Sequence, residues 1–509
     1  MKQYLPVIIV TGASGFIGRH FLEQAQEEYI IYAFARRTMQ EVGVSPHKNI
    51  KWVLVDIGEK DLLSEVIWKI QKENPVNFIL HLAAYYNFSN DTHPEYERTN
   101  VNGTRYMLEH AKSLNVRRFI FASSVAACSF PNEGEAINEQ TPPDADFDYA
   151  VTKKKGEDMC KDVSDSVSCS VVRFAAAFSD WCEYGPLYIF LETWFSKGWN
   201  SQILGGKGES AVPYIHVRCV AALLLKILRK SSSLPNYDVY IASPNGSTSH
   251  KELFNLSTRL FFGKELRSIK MPVFLAAPGV CLLYLFGKLI GKPPFERPWM
   301  MKYIDKKLTV DSSYTRKTLD WEPTSRHLIE RRLLYLIEHS KSYPVEWNRR
   351  NLLALERVKT ERPNLQIAET MQRLNDSIIN AIFADISHSD NKHKFPNYQQ
   401  LTPDNLEWYL GIYYNLLMTS VRTGDRMSLV NYSRFLADIR SREGFSKTEV
   451  CDALIVIRDQ VILTLLSEPS LKKMDALIHD TIGLTIQLAV DEIEDCYERI
   501  EFKKGQEES

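Results

Sequence analysis

The feature that most constrains this 509-residue chain is a glycine-rich segment that directly follows its first apolar run. Four apolar residues, Val-Ile-Ile-Val, lead into Thr-Gly-Ala-Ser-Gly-Phe-Ile-Gly at residues 11–18. In this spacing the first glycine permits a tight turn, the second lets the backbone approach a pyrophosphate, and the third allows close helix–strand packing. The segment therefore predicts a strand, turn and helix that bind a dinucleotide at the helix N-terminus. The expected contact residues are Gly12, Ser14, Gly15, Phe16, Ile17 and Gly18.

Short apolar runs alternate with amphipathic stretches through the first half of the chain. Alternation of strand and helix signals favours an α/β fold with a doubly wound parallel sheet. Strands that are covered on both faces are continuously apolar, as these runs are. The predicted strands are Val7–Val10, Ile30–Phe34, Trp52–Val55, Phe78–Leu82, Phe119–Ser123 and Val171–Phe174.

The chain changes character near residue 345, where strand signals end. We expect residues 1–345 to form a Rossmann-type domain, with cap or substrate segments at about 178–210 and 245–335. Residues 346–364 are charged and are expected to form a linker. Residues 365–509 are expected to form an all-α domain of ordinary size.

Helix-end signals mark the expected helices of this C-terminal domain. Ser446 and Glu449 have the spacing of a capping box. Gly444 lies where a helix end favours a left-handed residue. We expect the domain to regulate the protein or to form a homodimer. The predicted helices lie near residues 365–385, 403–422, 426–442, 447–467 and 470–500.

Charge and cysteine usage argue against several classes of protein. The 62 basic and 63 acidic residues leave no electrostatic footprint for nucleic acid. The eight cysteines form no CxxC pair, so we expect neither a disulfide framework nor a metal site. A strand begins almost at the N-terminus, which argues against a signal peptide. These features favour a cytoplasmic protein with reduced thiols.

One uncharged stretch, Met271–Gly287, is apolar enough that a membrane span has to be considered. A spanning helix needs about 20 apolar residues. This stretch is shorter and is interrupted by Pro272, Pro278 and Gly279. We therefore expect a buried or greasy surface helix that lines an apolar pocket or makes peripheral contact with a membrane.

The end of the second predicted strand bears on the choice of cofactor. NAD-binding domains place an acidic residue there to bind the ribose 2′-hydroxyl. This chain has Arg36 and Arg37 instead, and guanidinium groups pair well with a 2′-phosphate. NADP is therefore the expected cofactor, with NAD as second choice. Asp56, after the third strand, is expected to accept a hydrogen bond from the adenine amino group or to cap the next helix.

Ten short motifs occur in order over roughly residues 5–340, and together they give the chain a family resemblance. It resembles the extended short-chain dehydrogenases/reductases, which include nucleotide-sugar epimerases, dehydratases and 3β-hydroxysteroid-type dehydrogenases. The motifs are TGASGFIG at 11–18, DI at 56–57, HLAA at 81–84, NVNGT at 100–104, ASSVA at 122–126, YAVTK at 149–153, the strand end at Arg173, GKG at 206–208, YIHV at 214–217 and LDWEPT at 319–324.

The resemblance implies a catalytic set and further cofactor contacts. Tyr149 would exchange a proton with the substrate while hydride moves to or from the nicotinamide. Lys153, one helical turn away, would grip the nicotinamide ribose and stabilise the phenolate. Ser124 would orient the reacting oxygen, and Asn100 would support the active-site helix. Its implied cofactor contacts beyond the glycine-rich segment are Asp56, Ile57, Leu82, Ala83, Ala84, Asn100, Ser123, Tyr149 and Lys153.

Composition leaves the substrate open. The cap segments are rich in aromatic residues, which would suit an apolar secondary alcohol or ketone but would equally serve as the cap's own core. Departures from the pattern of the sugar-modifying members, such as Cys128 and Cys219, put a nucleotide sugar in doubt. An epimerase or dehydratase of nucleotide sugars remains the alternative enzyme.

The helical domain suggests a further alternative. Part of it, between Leu406 and Leu466, is similar to the helical sensory modules of stressosome-type regulators. The protein would then be a redox sensor that binds NADP(H) and signals through this domain. The retained Tyr149, Lys153 and Ser124 favour the enzyme over the sensor.

Overall fold

The structure is a computed structural model that describes residues 5–86, 92–289, 296–356, 363–423 and 426–507. The chain divides into two compact units, one of residues 1–35 and 39–360 and the other of residues 36–38 and 361–509. The first unit is an α/β domain and the second is helical, as predicted.

The first unit is built on a seven-stranded parallel sheet in the order β11-β6-β5-β4-β1-β2-β3. All six predicted strands are present, and the seventh, β11, was not predicted. The strands of the unit are β1 Val7–Thr11, β2 Ile30–Ala35, β3 Ile50–Leu54, β4 Phe78–His81, β5 Arg118–Ser124, β6 Cys169–Phe174, β7 Ala176–Phe178, β8 Ile203–Gly205, β9 Ala211–Val212, β10 Tyr214–His216, β11 Tyr237–Ala242, β12 Thr248–Ser249 and β13 Ile269–Met271.

Helices cover the sheet and follow most of its strands. The first unit contains α1 Phe16–Ala25, α2 Lys60–Glu73, a π-helix Tyr96–Asn102, α3 Gly103–Ser113, α4 Asp148–Asp162, α5 Gly185–Phe195, α6 Val217–Arg229, α7 His250–Phe262, α8 Val273–Leu289, α9 Ser313–Leu319, α10 Ile329–Ser342 and α11 Pro344–Glu356. From β1 the chain continues toward one edge of the sheet, and from β4 it continues toward the other edge. The strand order therefore reverses between β1 and β4. Ligands of such sheets bind at this switch point, outside the carboxyl ends of the strands.

The aromatic residues of the cap pack mainly with one another. Phe178, Tyr188 and Trp194 are buried in one apolar cluster with side chains of α7 and α10, and Tyr184, Phe190 and Phe195 pack against it. Cap aromatics therefore serve as the cap's own core, which is one of the two roles that composition left open.

Helix α11 occupies much of the segment predicted to be a linker. Its Trp347 is 2% exposed and belongs to the cap core. Asn351 accepts a hydrogen bond from the Glu183 main-chain N–H at 2.9 Å and donates to the Trp181 carbonyl at 2.9 Å. These contacts tie α11 to the first unit.

The second unit consists of helices around one apolar core drawn from residues 367–497. Two of the predicted helices are divided: the first breaks at Leu374, and the last is preceded by a short helix and a π-helical turn. Gly444 ends a helix with φ +85°, as predicted. The helices are α12 Pro363–Arg373, α13 Asn375–Ser387, α14 Pro403–Thr423, α15 Met427–Arg442, α16 Lys447–Ser467, α17 Asp475–Ile478 and α18 Leu484–Glu507.

Only half of the predicted capping box forms at the start of α16. Ser446 accepts a hydrogen bond from the Glu449 main-chain N–H at 3.1 Å. The Glu449 carboxylate does not return to Ser446; it accepts from the main-chain N–H groups of Asn397 and Tyr398 at 2.7 and 3.0 Å. Tertiary contact thus takes the side chain that the local motif would have used.

Candidate active site at the carboxyl edge of the sheet

The glycine-rich turn connects β1 to α1 at the switch point. Gly12 has φ +68°, and a Cβ added to it would lie 2.7 Å from the Ala83 main-chain nitrogen. A Cβ added to Gly18 would lie 2.8 Å from Cα of Ala13, so α1 packs directly on the turn. The backbone thus forms a cradle with no room for side chains at these positions, which fits the diphosphate of a dinucleotide.

The residues after β4 form the opposite side of this crevice. Leu82 and Ala83 are half-buried and Ala84 is exposed, whereas the strand before them is fully buried. The Ala83 N–H donates to the Thr11 hydroxyl at 3.2 Å. These three predicted contacts therefore line the crevice opposite Gly12.

A buried histidine connects the two sides of the crevice. His81 Nδ1 lies 2.9 Å from the Thr11 hydroxyl, and its Nε2 lies 3.0 Å from the Thr104 hydroxyl. Burial, reinforced by the nearby charge of Lys153, lowers the pKa of His81 to about 3. His81 is therefore neutral at physiological pH and acts as a hydrogen-bonding strut.

Asn100 joins the strand end to the helix that carries Tyr149. Its Oδ1 accepts from the Tyr85 N–H at 2.6 Å, and its Nδ2 donates to the Tyr85 carbonyl at 2.9 Å. Nδ2 also donates to the Thr152 hydroxyl at 3.0 Å, on α4. Asn100 is buried within the π-helix, a form of helix that is often found at functional sites. It therefore acts here as a support for α4 and Tyr85.

Helix α4 brings Tyr149 and Lys153 to the carboxyl end of β5. Lys153 Nζ donates to the Ala122 carbonyl at 2.6 Å and lies 5.5 Å from the centre of the Tyr149 ring. Burial lowers the pKa of Lys153 to about 8, partly opposed by the Glu157 carboxylate. The lysine therefore remains cationic at neutral pH beside the tyrosine.

A glycine lets α4 approach the sheet closely enough for this contact. A Cβ added to Gly156 would overlap the ring of Phe121 on β5. The same ring lies 5.0 Å from Lys153 Nζ. The close packing of α4 on the sheet thus determines where the Lys153 ammonium lies.

Ser123 and Ser124, adjacent at the end of β5, have different surroundings. Ser124 is half-buried, and its Oγ accepts from the Ala126 N–H at 3.1 Å. Ser123 is buried and its hydroxyl donates to Glu157 at 2.5 Å. Glu157 also pairs with Arg173 at 2.7 Å. The structure thus connects the predicted cofactor contact Ser123 to a buried ion pair that sequence analysis did not find.

Asp56 and Ile57 lie at the loop after β3. The Asp56 carboxylate accepts from the Gly58 N–H at 2.9 Å and from Arg98 Nη1 at 3.3 Å. Ile57 is buried, and a Cβ added to Gly103 would meet its side chain at 2.8 Å. Asp56 therefore shapes the turn before α2 and is paired with an arginine that sequence analysis missed.

Four further predicted contacts lie beside the end of β2 and the start of α1. Arg36 and Arg37 directly follow β2 and are half-buried, as are Phe16 and Ile17 at the start of α1. Within the described ranges, no group of three His, Cys, Asp or Glu side chains is arranged to hold a metal ion. The site is thus one of main-chain cradle, hydroxyls and a single buried ammonium.

Comparisons with known proteins agree with this arrangement. Residues 8–242 match the model of the NAD dependent epimerase/dehydratase family. UDP-glucose 4-epimerase from Vibrio cholerae is 22% identical over 334 residues, which cover 62% of this chain and 90% of that protein. A Synechocystis protein provisionally named dihydroflavonol 4-reductase is 31% identical over 134 residues, 26% of this chain and 36% of that protein.

A solved structure shows the same fold. The dTDP-glucose 4,6-dehydratase from Bacillus anthracis, in complex with NAD, matches with a TM-score of 0.52 and 20% identity, covering 68% of this chain and 99% of that chain. The family match includes the glycine-rich turn, Tyr149 and Lys153. The family resemblance predicted from the ten motifs is confirmed. Residues 8–242 therefore carry the signature of the NAD-dependent epimerase/dehydratase family, and this part of the chain is of the NAD(P)-dependent, extended short-chain dehydrogenase/reductase type.

Proposed function

We propose that the protein transfers hydride between the nicotinamide of NADP and a secondary alcohol or ketone. The observation that carries this proposal is the placement of Tyr149 beside the buried Lys153, with Ser124 at the same end of β5. When bound, the cofactor supplies the carbon that accepts or gives the hydride. Everything else in the reaction is proton movement and orientation by this chain.

In the oxidative direction the substrate O–H bond breaks and its proton passes to the Tyr149 phenolate oxygen. The C–H electron pair leaves with the hydride, so the product is a ketone and a protonated Tyr149. Lys153 stabilises the phenolate before the transfer, because opposite charges favour the ionised form. The Ser124 hydroxyl orients the reacting oxygen at the mouth of the crevice.

A Tyr149→Phe variant tests this mechanism. We expect turnover to fall by about 10²-fold or more, the range of general acid–base catalysis, while NADPH binding is retained. Cofactor fluorescence measures the binding, and steady-state kinetics measures the turnover. Unchanged turnover in a variant that binds NADPH would remove Tyr149 from the chemistry.

The preference for NADP rests on Arg36 and Arg37 at the end of β2. Titration of the purified protein with NADPH and NADH measures it, after a check for co-purified nucleotide. A preference of tenfold or more for NADPH, about 1.4 kcal/mol, supports the arginines as 2′-phosphate ligands. Arg36→Ala and Arg37→Ala should then reduce NADPH affinity and spare NADH. A preference for NADH would make NAD the cofactor.

An apolar substrate is supported by the rings around Tyr149. Tyr86 lies 4.5 Å and Phe147 6.4 Å from it between ring centres. The cap aromatics lend no support, since they form the cap's core. Activity on panels of steroids, terpenoids and nucleotide sugars decides the question. Reaction with nucleotide sugars alone would reject the apolar substrate.

The second candidate is a nucleotide-sugar epimerase or dehydratase, favoured by the similarity to the Vibrio cholerae epimerase over most of that protein's length. Such an enzyme returns the hydride to the sugar, so it retains its cofactor and shows no net redox change. Tightly bound NAD in the purified protein, with turnover of nucleotide sugars and no change in NADH absorbance, would favour it over the first candidate.

A sensor remains the alternative outside enzyme chemistry, with the second unit as its output. The Tyr149→Phe variant discriminates here too. Function in cells that persists without turnover would support a sensor, and loss of function together with turnover would support the enzyme. The second unit is then expected to dimerise or regulate the enzyme.

The exposed apolar face of helix α8 supports the proposal that the protein makes peripheral contact with a membrane. Phe274 is 74%, Leu282 68% and Phe286 63% exposed. Residues 264–297 contain six basic and two acidic residues, a charge pattern that suits anionic lipid. Among the described helices, none is both long and apolar enough to cross a bilayer.

Vesicle co-sedimentation tests this contact. Full-length protein should sediment with anionic vesicles and less with neutral ones, and a variant with Phe274→Ser and Phe286→Ser should stay in the supernatant. Equal sedimentation of the variant would exclude α8 as the membrane contact. Light scattering of the protein without vesicles reports whether it is a dimer.

A further inference from the structure

A cluster of arginines surrounds a cavity of the first unit that the proposed reaction does not use. The cavity has a volume of about 410 Å³, within the range of small-molecule sites. It lies where the start of α6 meets the start of α10. Its lining residues are Arg218, Arg326, His327, Arg331, Arg332 and Tyr335.

The floor of this arginine pocket is held rigidly. Arg332 is buried and donates two hydrogen bonds to Asp180, from Nε at 2.6 Å and from Nη2 at 2.5 Å. The Arg332 guanidinium also lies 3.8 Å from the centre of the Tyr335 ring. His327 stacks on His216 with ring centres 4.7 Å apart. The pocket is therefore preorganised on one side by packing and by a bidentate ion pair.

The other three arginines are exposed and carry uncompensated charge. Within the part of the chain that the structure describes, no carboxylate forms an ion pair with Arg218, Arg326 or Arg331. Two acidic residues near them in sequence are engaged elsewhere. Glu330 accepts from the Thr248 hydroxyl at 2.9 Å, and Glu322 pairs with Arg316.

His327 lies among these positive charges. Burial, then the neighbouring His216, and after it Arg332, Arg326 and Arg218 lower the pKa of His327 to about 4. The imidazole is thus neutral at physiological pH and can donate or accept a hydrogen bond without adding charge. Like charges gathered without partners repel one another, so an anion would stabilise this arrangement.

We infer that this pocket binds a phosphate-bearing ligand, as a site separate from the dinucleotide crevice. Guanidinium groups form paired hydrogen bonds to phosphate oxygens, and Arg218, Arg326 and Arg331 supply three of them around one cavity. The volume fits a compact phosphate ester or a diphosphate. The same phosphate chemistry is offered by a soluble metabolite and by a phosphorylated lipid head group.

Calorimetric titration of the full-length protein with inorganic pyrophosphate tests the site. Saturating NADPH is present, so that the dinucleotide crevice is filled. We expect saturable binding that weakens with added salt. Arg218→Gln and Arg326→Gln should each weaken it about tenfold, which corresponds to about 1.4 kcal/mol. Arg105→Gln is the matched control, since it removes one exposed arginine from α3, and should change the affinity less than twofold.

A second arm distinguishes the two sources of phosphate. Protein is mixed with vesicles of zwitterionic lipid doped with a phosphoinositide, and separately with the water-soluble head group alone. Capture by the vesicles that exceeds binding of the free head group, and that is lost in both variants, assigns the ligand to a lipid. Equal binding of the two assigns it to a soluble phosphate ester.

Two results would overturn the inference. The first is the absence of saturable binding to pyrophosphate and to the phosphoinositide. The second is binding that Arg105→Gln reduces as much as the pocket variants do, because the effect would then be one of net charge. Retained NADPH binding shows in each case that the variant is folded.

Discussion

Gly12 combines two requirements at a single residue. Its φ of +68° is costly for any residue with a Cβ, and the Ala83 main chain occupies the space that a Cβ would need. Because the neighbour is backbone, it cannot rotate away as a side chain would. The turn therefore tolerates no larger residue without moving β4 and the crevice that lies beside it.

We predict that Gly12→Ala lowers NAD(P) affinity by more than tenfold and destabilises the protein by more than Gly43→Ala does. Gly43 has φ +66° with nothing within 4 Å of an added Cβ, so its substitution carries only the backbone cost of about 1–2 kcal/mol. Thermal unfolding and fluorescence titration measure both effects. Equal losses in the two variants would show that the contact with Ala83 is unimportant.

The family motifs predict Tyr149 and Lys153 as the reactive pair and Asn100 as the support of their helix, but not which atoms make these contacts. Tyr149 and Lys153 are one helical turn apart, so a single helix places them together. The tie from Asn100 to Thr152 spans 52 positions and exists only once the chain is folded. The different surroundings of Ser123 and Ser124 depend on how β5 is seated, because neighbouring strand residues face opposite sides.

At the scale of elements, a buried carboxylate connects α1 to the segment after β7. Glu183 accepts from Arg19 at 2.9 Å and from the Ser179 hydroxyl at 2.7 Å. Burial alone would raise the pKa of Glu183, but His20, Arg19 and Ser179 outweigh it and lower the pKa from 4.5 to about 2. The ionised carboxylate thus helps to hold the cradle helix against the cap.

This lowered pKa predicts a pH dependence of stability. The contribution of Glu183 is fully present above its unfolded pKa of 4.5 and is lost as the pH falls through 2. A shift of this size corresponds to about 3 kcal/mol at pH 7. Glu183→Gln should therefore lower the urea midpoint at pH 7. The difference in unfolding free energy between the variant and the wild type should be about 1 kcal/mol smaller near pH 3.5 than at pH 7.

The control for this prediction is Glu97→Gln. Glu97 forms an exposed ion pair with Lys155 at 3.2 Å, and such pairs contribute little. Its substitution should leave the urea midpoint almost unchanged at both pH values. A Glu183→Gln deficit that stays constant with pH would show that lost packing, rather than lost charge, is responsible.

The elements that sequence analysis missed have physical reasons in common. Strand β11 begins with two residues that carry polar groups, Tyr237 and Asp238, and its apolar run is short. The break at Leu374 divides a segment with helical periodicity on both sides. Both features depend on packing that the local pattern does not contain, whereas the strands at the centre of the sheet, such as Val7–Thr11, carry clear apolar runs and were predicted.

At the scale of the whole molecule, each unit draws its core from its own residues. The core of the second unit extends over residues 367–497 and includes the fully buried Tyr414 and Leu417. The clusters of the first unit lie within residues 7–347. Cores of this kind are what independently folding domains require.

We predict that residues 361–509 fold when expressed alone. Circular dichroism should show a helical protein with cooperative thermal unfolding. Leu417→Ala should lower its stability by about 2–5 kcal/mol, as expected for a buried leucine. Leu463→Ala, at a position 67% exposed on α16, should have little effect. A fragment without a cooperative transition would mean that this unit depends on the first.

The π-helix that carries Asn100 has a consequence for chain length. A π-helical turn holds more residues than an α-helical turn, so Tyr96–Asn102 accommodates extra chain before α3. Deleting one residue here would restore the ordinary pitch and rotate Asn100 by about 100° relative to α3. Its amide would then turn away from Tyr85 and Thr152. At this segment the spacing of the chain, and not only the identity of its side chains, is the property that a functional descendant has to inherit.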